Sequence, residues 1–274
     1  MDFFDSHAHL DSPRFGSPAL RLIRLNNADL VGVRAILIPG VKPLQWPTLP
    51  DLCTPVGALY AGPKLVFAIG IHPLALTSIP EAKDSANIAE LAVWTQNLPS
   101  DMKALGETGL DFGRAGRNLS RSRQLRIFSA HLDLCRKTGL PLIVHCVAAH
   151  GPMTELLLQS PTPACVLHSF TGSAELASRY CRHGHYISFS PMITHPNVRR
   201  ALESAQVVPD QLLLIESDCP DQTPYARRPD VNEPAFIVDV ARALAKVRQQ
   251  PLAHVAGHTF ENSKRVFNMA TLNS

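Results

Sequence analysis

The 274-residue sequence predicts an α/β chain that closes as one (β/α)8 TIM barrel, on three observations. Short runs of β-branched and aliphatic residues recur, each followed by a stretch of helical periodicity, which is the pattern of βα units around a parallel sheet buried on both faces. Eight such units can be drawn along the chain. No composition break or long linker divides them, and barrels reach about 250 residues as one unit, so a single domain over 1–274 is expected rather than two. An open, doubly wound sheet is the alternative arrangement.

Taken in order, strands are expected at Phe3–Ser6, Arg34–Pro39, Leu65–Gly70, Ala104–Glu107, Leu142–His145, Cys165–His168, Tyr186–Phe189 and Leu212–Glu216. Helices are expected near 17–30, 86–98, 120–138, 151–159, 173–183, 197–204, 233–249 and 251–269. The stretch 42–60 is rich in proline (Pro43, Pro47, Pro50, Pro55) and predicts only a short or irregular helix. Ser85 and Ser173 stand where N-caps are expected. Asn232 precedes Glu233-Pro234, which puts proline in a first turn where its missing N–H costs nothing.

Composition narrows the function classes. Hydrophobic residues make up 45% and charged residues 18%, enough apolar material for a large core and too little charge for a disordered chain. Lys plus Arg less Asp plus Glu is 26 − 23 = +3, so no broad, sequence-independent grip on polyphosphate is indicated and any nucleic-acid contact must be local. Apolar runs such as 64–73 and 141–146 fall well short of the ~20 residues that cross a bilayer, so no membrane span is expected. The start, Met1 to Asp5, lacks the basic region and long apolar stretch of a secretory signal, and a cytoplasmic location is expected. Six cysteines, at 53, 135, 146, 165, 181 and 219, form no C-x-x-C pair and fit reduced, mostly buried thiols.

The twelve histidines are not scattered at random. Working residues of a parallel barrel sit at the C-terminal ends of its strands. There the first strand ends in Asp5-Ser6-His7-Ala8-His9, the third in Gly70-Ile71-His72-Pro73 and the fourth in Gly106-Glu107-Thr108-Gly109. The fifth ends in His145, the sixth in His168 and the eighth in Glu216-Ser217-Asp218. The two-residue period of a strand puts His7 and His9 on one face, where both imidazoles can reach one cation. Imidazoles with carboxylates make a mixed N/O shell suited to Zn²⁺, Mn²⁺ or Mg²⁺. The candidate ligands His7, His9, Glu107, His145, His168 and Asp218 exceed the three protein ligands of one open catalytic zinc. Two divalent ions about 3.5–4 Å apart are therefore expected, with Glu107 bridging them and Asp218 both a ligand and the group that orients or deprotonates water.

These residues resemble the TatD-like metal-dependent hydrolases, deoxyribonucleases within the amidohydrolase superfamily of (β/α)8 barrels. The resemblance runs through D-S-H-A-H-L-D at 5–11, G-I-H-P at 70–73, G-E-T-G-L-D-F at 106–112, P-L-I-V-H at 141–145, V-L-H-S-F-T-G at 166–172, Y-I-S-F-S at 186–190 and L-L-I-E-S-D-C-P at 213–220. It implies the same six metal ligands, a substrate-phosphate contact at His72, and hydrolysis of phosphodiester bonds, typically DNA trimmed from a 3′ end. One departure is informative. Where the family has H-x-R-D-A after the fifth strand, this chain has His145-Cys146-Val147-Ala148-Ala149, one charge-assisted phosphate contact fewer.

The expectation is thus a monomeric dinuclear hydrolase acting on single-stranded or frayed DNA ends. Its rivals are a metal-dependent ester or amide hydrolase, such as an aminoacyl-RNA deacylase, and a non-catalytic nucleic-acid-binding scaffold. Several other residues carry two readings. His150 and His195 could line the pocket or the surface. Ser169-Phe170-Thr171-Gly172 could offer hydroxyls and a stacking ring beside His168. Arg227-Arg228 and the series Arg114, Arg117, Arg121 and Arg123 could meet phosphate or only solvent. His183-Gly184-His185 precedes the seventh strand, away from the site. His254 and His258 lack the glutamate of H-E-x-x-H and read as helix surface or partial core. Asp111 is expected to brace the loop around Glu107.

Overall fold

The computed structural model describes residues 1–54, 62–158, 161–270 and 272. Along the second strand Ala35 and Leu37 belong to one buried cluster and Ile36 and Ile38 to another, and along the third Val66 and Ala68 alternate with Phe67 and Ile69 in the same way. This two-residue alternation is what a sheet with two buried faces requires. The strand positions of the inner cluster are largely small and medium side chains, including Ala35, Ala68, Ala104, Ile143 and Val166, which fit the narrow interior of a barrel. The outer cluster takes the larger strand residues and packs them against the helices.

The described residues form eight parallel strands in sequential order: β1 (Phe3–Asp5), β2 (Val33–Gly40), β3 (Lys64–Ile69), β4 (Met102–Asp111), β5 (Leu142–Val147), β6 (Cys165–Leu167), β7 (Tyr186–Phe189) and β8 (Leu213–Ile215). Helices alternate with them: α1 (Pro18–Leu30), α2 (Leu49–Cys53), α3 (Asp84–Gln96), α4 (Arg121–Thr138), α5 (His150–Leu158), α6 (Ala174–Arg182), α7 (Arg199–Val207), α8 (Ile237–Arg248) and α9 (Leu252–Val266). The Ser6 N–H donates to the Ile215 carbonyl at 3.2 Å and the Asp218 N–H to the His7 carbonyl at 2.9 Å, bringing the last strand back to the first. This is a (β/α)8 barrel, and the sequential strand order excludes the doubly wound alternative.

Three local expectations are corrected. β4 does not stop at Glu107 but pairs with β5 as far as Asp111↔Val147, after a register shift between Leu105 and Thr108. The shift is possible because Gly106 and Gly109 have positive φ and lie so close to β5 that a Cβ at Gly109 would sit 2.0 Å from the His145 carbonyl oxygen. Ser173 does cap α6, accepting from the Leu176 N–H at 3.3 Å, whereas Ser85 lies inside α3. Asn232 is no cap either: its amide donates to the carbonyls of Ser217 and Asp221, both at 2.6 Å, and ties the loop after β8, while α8 starts only after a 3-10 turn over Pro234–Phe236.

The proline-rich stretch forms a 3-10 segment over Pro43–Thr48 followed by the single turn of α2. Its end, with Pro55, lies outside the described residues, as does position 159 of the helix expected at 151–159. All six cysteines are free, five of them buried. At the N-terminal end of the barrel Phe260 of α9 and Phe267, just past its end, join the inner cluster, with the Phe267 ring 5.5 Å from that of Phe4. Among the described residues no helix is long and apolar enough to cross a membrane.

Candidate metal centre

Every strand-end residue singled out for chemistry arrives at one mouth. Glu107 is buried at its centre and divides its two oxygens between two groups of imidazoles. Oε2 lies 3.3 Å from His7 Nε2 and 3.7 Å from His9 Nε2. Oε1 lies 2.8 Å from His168 Nε2, 3.1 Å from His145 Nδ1 and 3.2 Å from His72 Nε2. Asp218 stands on the first side, its Oδ1 3.8 Å from His7 Nε2 and 3.6 Å from His9 Nε2. It sits three residues past the end of β8, in the left-handed region with φ 49°, rather than at the strand's last residue.

The packing of these groups is what a cation shell looks like. His7 and His9 bring their Nε2 atoms within 3.2 Å of each other, and with the Glu107 and Asp218 oxygens all separations described fall between 3.2 and 3.8 Å. Ligands about 2.0–2.2 Å from a tetrahedral ion are about 3.3–3.6 Å apart. Two buried polar atoms of adjoining residues, His7 Nδ1 and Glu216 Oε2, have no hydrogen-bond partner among the described residues. The donor set, imidazoles with carboxylates, fits a divalent cation.

Behind the front row stand residues that sequence reasoning missed. Glu216, wholly buried, accepts from the Ser169 N–H at 2.7 Å and faces His168 Nδ1 at 3.3 Å with the same oxygen. Asp5 accepts from the Ser217 N–H at 2.8 Å and from the Ser217 hydroxyl, fixing the strand-to-loop turn that delivers Asp218. Gln222 donates its amide to Asp218 Oδ2 and accepts from the Ser190 hydroxyl at 2.6 Å. Carboxylates ending wholly apolar runs, Phe3-Phe4-Asp5 and Leu213-Leu214-Ile215-Glu216, were the available signal for two of the three. Asp111 does more than brace a loop: its Oδ2 is 3.3 Å from His145 Nε2, while Oδ1 accepts from the Gly113 N–H at 2.9 Å.

Electrostatics follow from this crowding. Burial pushes the His7 imidazole down to about 4, with His168 adding to the effect. Burial works against charge on Glu107, but His72, His168 and His7 outweigh it and hold the carboxyl well below its ordinary range. Burial likewise opposes charge on His168, and Glu107 and Glu216 more than compensate, raising it. Asp218 is raised well above its usual value by burial, helped by Glu216 and Glu107. His72 Nδ1 accepts from the Leu74 N–H at 3.1 Å, which leaves a proton on Nε2, aimed at the site.

A cavity of about 570 Å³ opens above these groups, lined by His9, His72, Glu107, His145, His168 and Asp218 together with Lys42, Cys146, Val147, Ser169, Thr171 and Gln222. Lys42 is the one Lys or Arg among the described lining residues. Phe170 is not on the wall: it is buried against His150 and Tyr180, so the stacking ring expected beside His168 is absent, although Ser169 and Thr171 do face the cavity. His150 and His195 also stay off the wall. His150 Nδ1 is 3.4 Å from Cys146 Sγ, and His195 Nε2 is 3.1 Å from the Thr223 carbonyl.

The arginine readings resolve away from phosphate where partners are described: Arg227 pairs with Asp239 at 2.8 Å, Arg121 stacks over Phe112, and Arg123 is buried on Asp84. His183 and His185 are remote from the site; the latter accepts from the Cys165 N–H at 3.3 Å.

The sequence matches the TatD related DNase family over residues 4–268. Relatives include the uncharacterized metal-dependent hydrolase YabD of Bacillus subtilis, 29% identical with 97% of this chain and 99% of the relative covered. Another is the 3′-5′ ssDNA/RNA exonuclease TatD of Musicola paradisiaca, 32% identical over 73% of this chain and 75% of its own. The crystal structure of YJJV, a TatD homolog from Escherichia coli, superposes with a TM-score of 0.86 at 26% identity, covering 97% of this chain and 98% of that one. The chain belongs to the TatD related DNase family and is a metal-dependent hydrolase of that family.

Proposed function

We propose that the chain acts as one unit, a cytoplasmic monomer, that removes nucleotides from the 3′ end of single-stranded or frayed DNA. The observation that carries this reading is the division of Glu107 between two imidazole groups, Oε2 toward His7 and His9 and Oε1 toward His145 and His168. On it, His7, His9 and Asp218 would hold one divalent ion and His145 and His168 a second, with one Glu107 oxygen facing each group. Zn²⁺, Mn²⁺ and Mg²⁺ all suit the donors. When bound, such ions supply Lewis-acid stabilisation of a phosphoryl oxygen and acidify water at neutral pH.

The chain's own residues do the rest. Asp218 orients the attacking water and takes its proton on the carboxylate, with Gln222 fixing the other oxygen. His72 offers its Nε2–H to a non-bridging phosphate oxygen, its Nδ1 being committed to the Leu74 N–H. Glu216 and Asp111 stand behind His168 and His145 and hold each ring in orientation. Lys42 supplies the permanent positive charge on the wall.

A second reading, hydrolysis of a carboxyl ester or amide, is favoured by one feature. The wall beside His145 is Cys146 and Val147, with little charge for a polyanion. The two separate in one experiment: protein stripped of metal and reloaded with Mg²⁺, Mn²⁺ or Zn²⁺, offered 5′-labelled and 3′-labelled single-stranded oligonucleotides. Stepwise shortening from the 3′ end is expected. Intact oligonucleotides with all three ions, alongside turnover of an aminoacyl ester, would replace the nuclease reading by the second.

A further inference from the structure

We propose that Asp210, His254 and His258 form a second cation site at the end of the barrel opposite the catalytic mouth, taking a late first-row divalent ion such as Zn²⁺, Cu²⁺ or Ni²⁺. His254 and His258 lie four residues apart on α9, so their rings meet edge to face on one side of the helix, with centroids 4.3 Å apart at 62°. Asp210 begins the 3-10 turn that leads into the N-terminal end of β8, and its Oδ2 is 3.2 Å from His254 Nε2. One ligating atom from each of the three residues lies within 4.8 Å of the other two.

The carboxylate is held before any ion arrives. Arg248 and the Gln250 amide, the latter at 3.2 Å, occupy Oδ1, and the Asn262 amide donates to the Asp210 main-chain carbonyl at 2.6 Å, leaving Oδ2 turned to the histidines. His258 makes no hydrogen bond or ion pair among the described residues, so its ring can turn a nitrogen to the same point. The spacing of Oδ2 and His254 Nε2 matches two ligands on one tetrahedral ion, which stand about 3.3 Å apart.

Charge decides the selectivity. Arg248 shares the carboxylate and the positive start of α9 is nearby, so both oppose a cation, and affinity has to come from nitrogen ligation rather than from net charge. That favours Cu²⁺, Zn²⁺ and Ni²⁺ and disfavours Mg²⁺ and Mn²⁺. The consequence is mechanical: the ion fastens the base of β8 to the helix that, with Phe260 and the Phe267 that follows it, plugs the barrel floor. That end of a barrel serves stability rather than turnover, so a bound ion raises stability by mass action.

The test uses the whole chain and two variants, His258→Gln and His254→Gln, both on the outer face of α9. Dialysed against Zn²⁺ and analysed for metal, each variant is expected to hold one zinc fewer per chain than the wild type. Dialysed against Mn²⁺, all three should hold the same amount and turn over alike. The rise in Tm on adding Zn²⁺ should be smaller in both variants. If a variant fails to fold, Cu²⁺ added to the wild type decides, by paramagnetic broadening of the amide signals of 254–261. Equal zinc counts with equal Tm shifts, or 254–261 signals that stay sharp in Cu²⁺, would overturn the site.

Discussion

His168 is held between two buried acids, with Nε2 2.8 Å from Glu107 Oε1 and Nδ1 3.3 Å from Glu216 Oε1. Since Glu216 also takes the Ser169 N–H at 2.7 Å, it fixes both the ring and the backbone that carries it. A carboxylate behind a ligating imidazole sets its tautomer and basicity, and losing one typically costs 10- to 100-fold in metal affinity or activity. Glu216→Gln, which keeps the size and one acceptor, is expected to raise the metal concentration for half-maximal activity by roughly 10- to 100-fold. A metal titration of activity beside a Tm measurement checks it. An unchanged titration with unchanged Tm would reduce Glu216 to a buried acid without a role at the centre.

Asp218 separates a catalyst from a scaffold. Its Oδ1 is within 3.8 Å of both His7 and His9, and Gln222 anchors the other oxygen. On the proposed mechanism, replacing it with asparagine keeps the shape and removes the proton acceptor, so kcat is expected to fall by about 10²- to 10⁴-fold. Oligonucleotide binding, followed by fluorescence anisotropy, should change little. A wild type without turnover to lose would point to the scaffold instead.

The strand ends were the legible part of this molecule. A parallel barrel brings the C-terminal ends of its strands to one mouth whatever the loops do, so His7, His9, His72, Glu107, His145, His168 and Asp218 could be collected by counting strands alone. Searching only for imidazoles and acids there passed over Lys42, which stands at the same rim just after β2. Glu216 and Asp5 were hidden differently, because a carboxylate ending an apolar run reads equally as the last residue of a strand. The Phe170 side chain went the wrong way because one residue's alternation decides cavity or core, and the sequence of a loop does not fix that alternation.

Lys42 is expected to set affinity for an anionic end. One permanent cation on the wall, meeting a phosphate, makes a charged contact of about 1.5–3 kcal/mol, so Lys42→Ala should raise KM roughly tenfold or more while leaving kcat near its starting value. The dependence of binding on salt should weaken as well, by about 0.7 in the logarithmic slope for a single strand. Steady-state kinetics on an oligonucleotide at two salt concentrations measures both. An equal KM at low salt would put the phosphate elsewhere.

The segment after His72 hangs on a buried ion pair. Arg123, at the start of α4, bonds Asp84 at 2.7 and 2.9 Å and caps the carbonyls of Leu76 at 3.1 Å and Ile79 at 2.7 Å. Arg123→Met leaves a buried acid and two carbonyls with one partner fewer each, and breaking such a pair costs about 3–5 kcal/mol. The hydrogen bonds of Arg123 hold the Asp84 carboxyl below its ordinary range, which is the same coupling seen from the acid. Urea unfolding should show the loss. Turnover at saturating substrate should suffer less than KM, because His72 is presented by this segment while the strand-borne groups are not.

His131 gives the pH dependence of stability its sign. The ring is wholly buried on α4, its Nε2 accepting from the Ile71 N–H at 3.1 Å and its Nδ1 2.8 Å from the Ile127 carbonyl, so it must be neutral in the folded chain. Burial pushes it down to about 4, against about 6.5 in an unfolded chain. Between those values the unfolded chain binds a proton that the folded one refuses. Its contribution is therefore whole above about pH 6.5 and is lost as the pH falls toward 4, by about 3 kcal/mol in all. His131→Gln keeps an acceptor for the Ile71 N–H and removes the titration. The variant is expected to be less stable at pH 7.5, to close most of that gap by pH 4.5, and to show a slope of unfolding free energy against pH shallower by up to one proton. Parallel slopes for the two proteins would mean that His131 titrates alike folded and unfolded, and that the ring is not held in the neutral form.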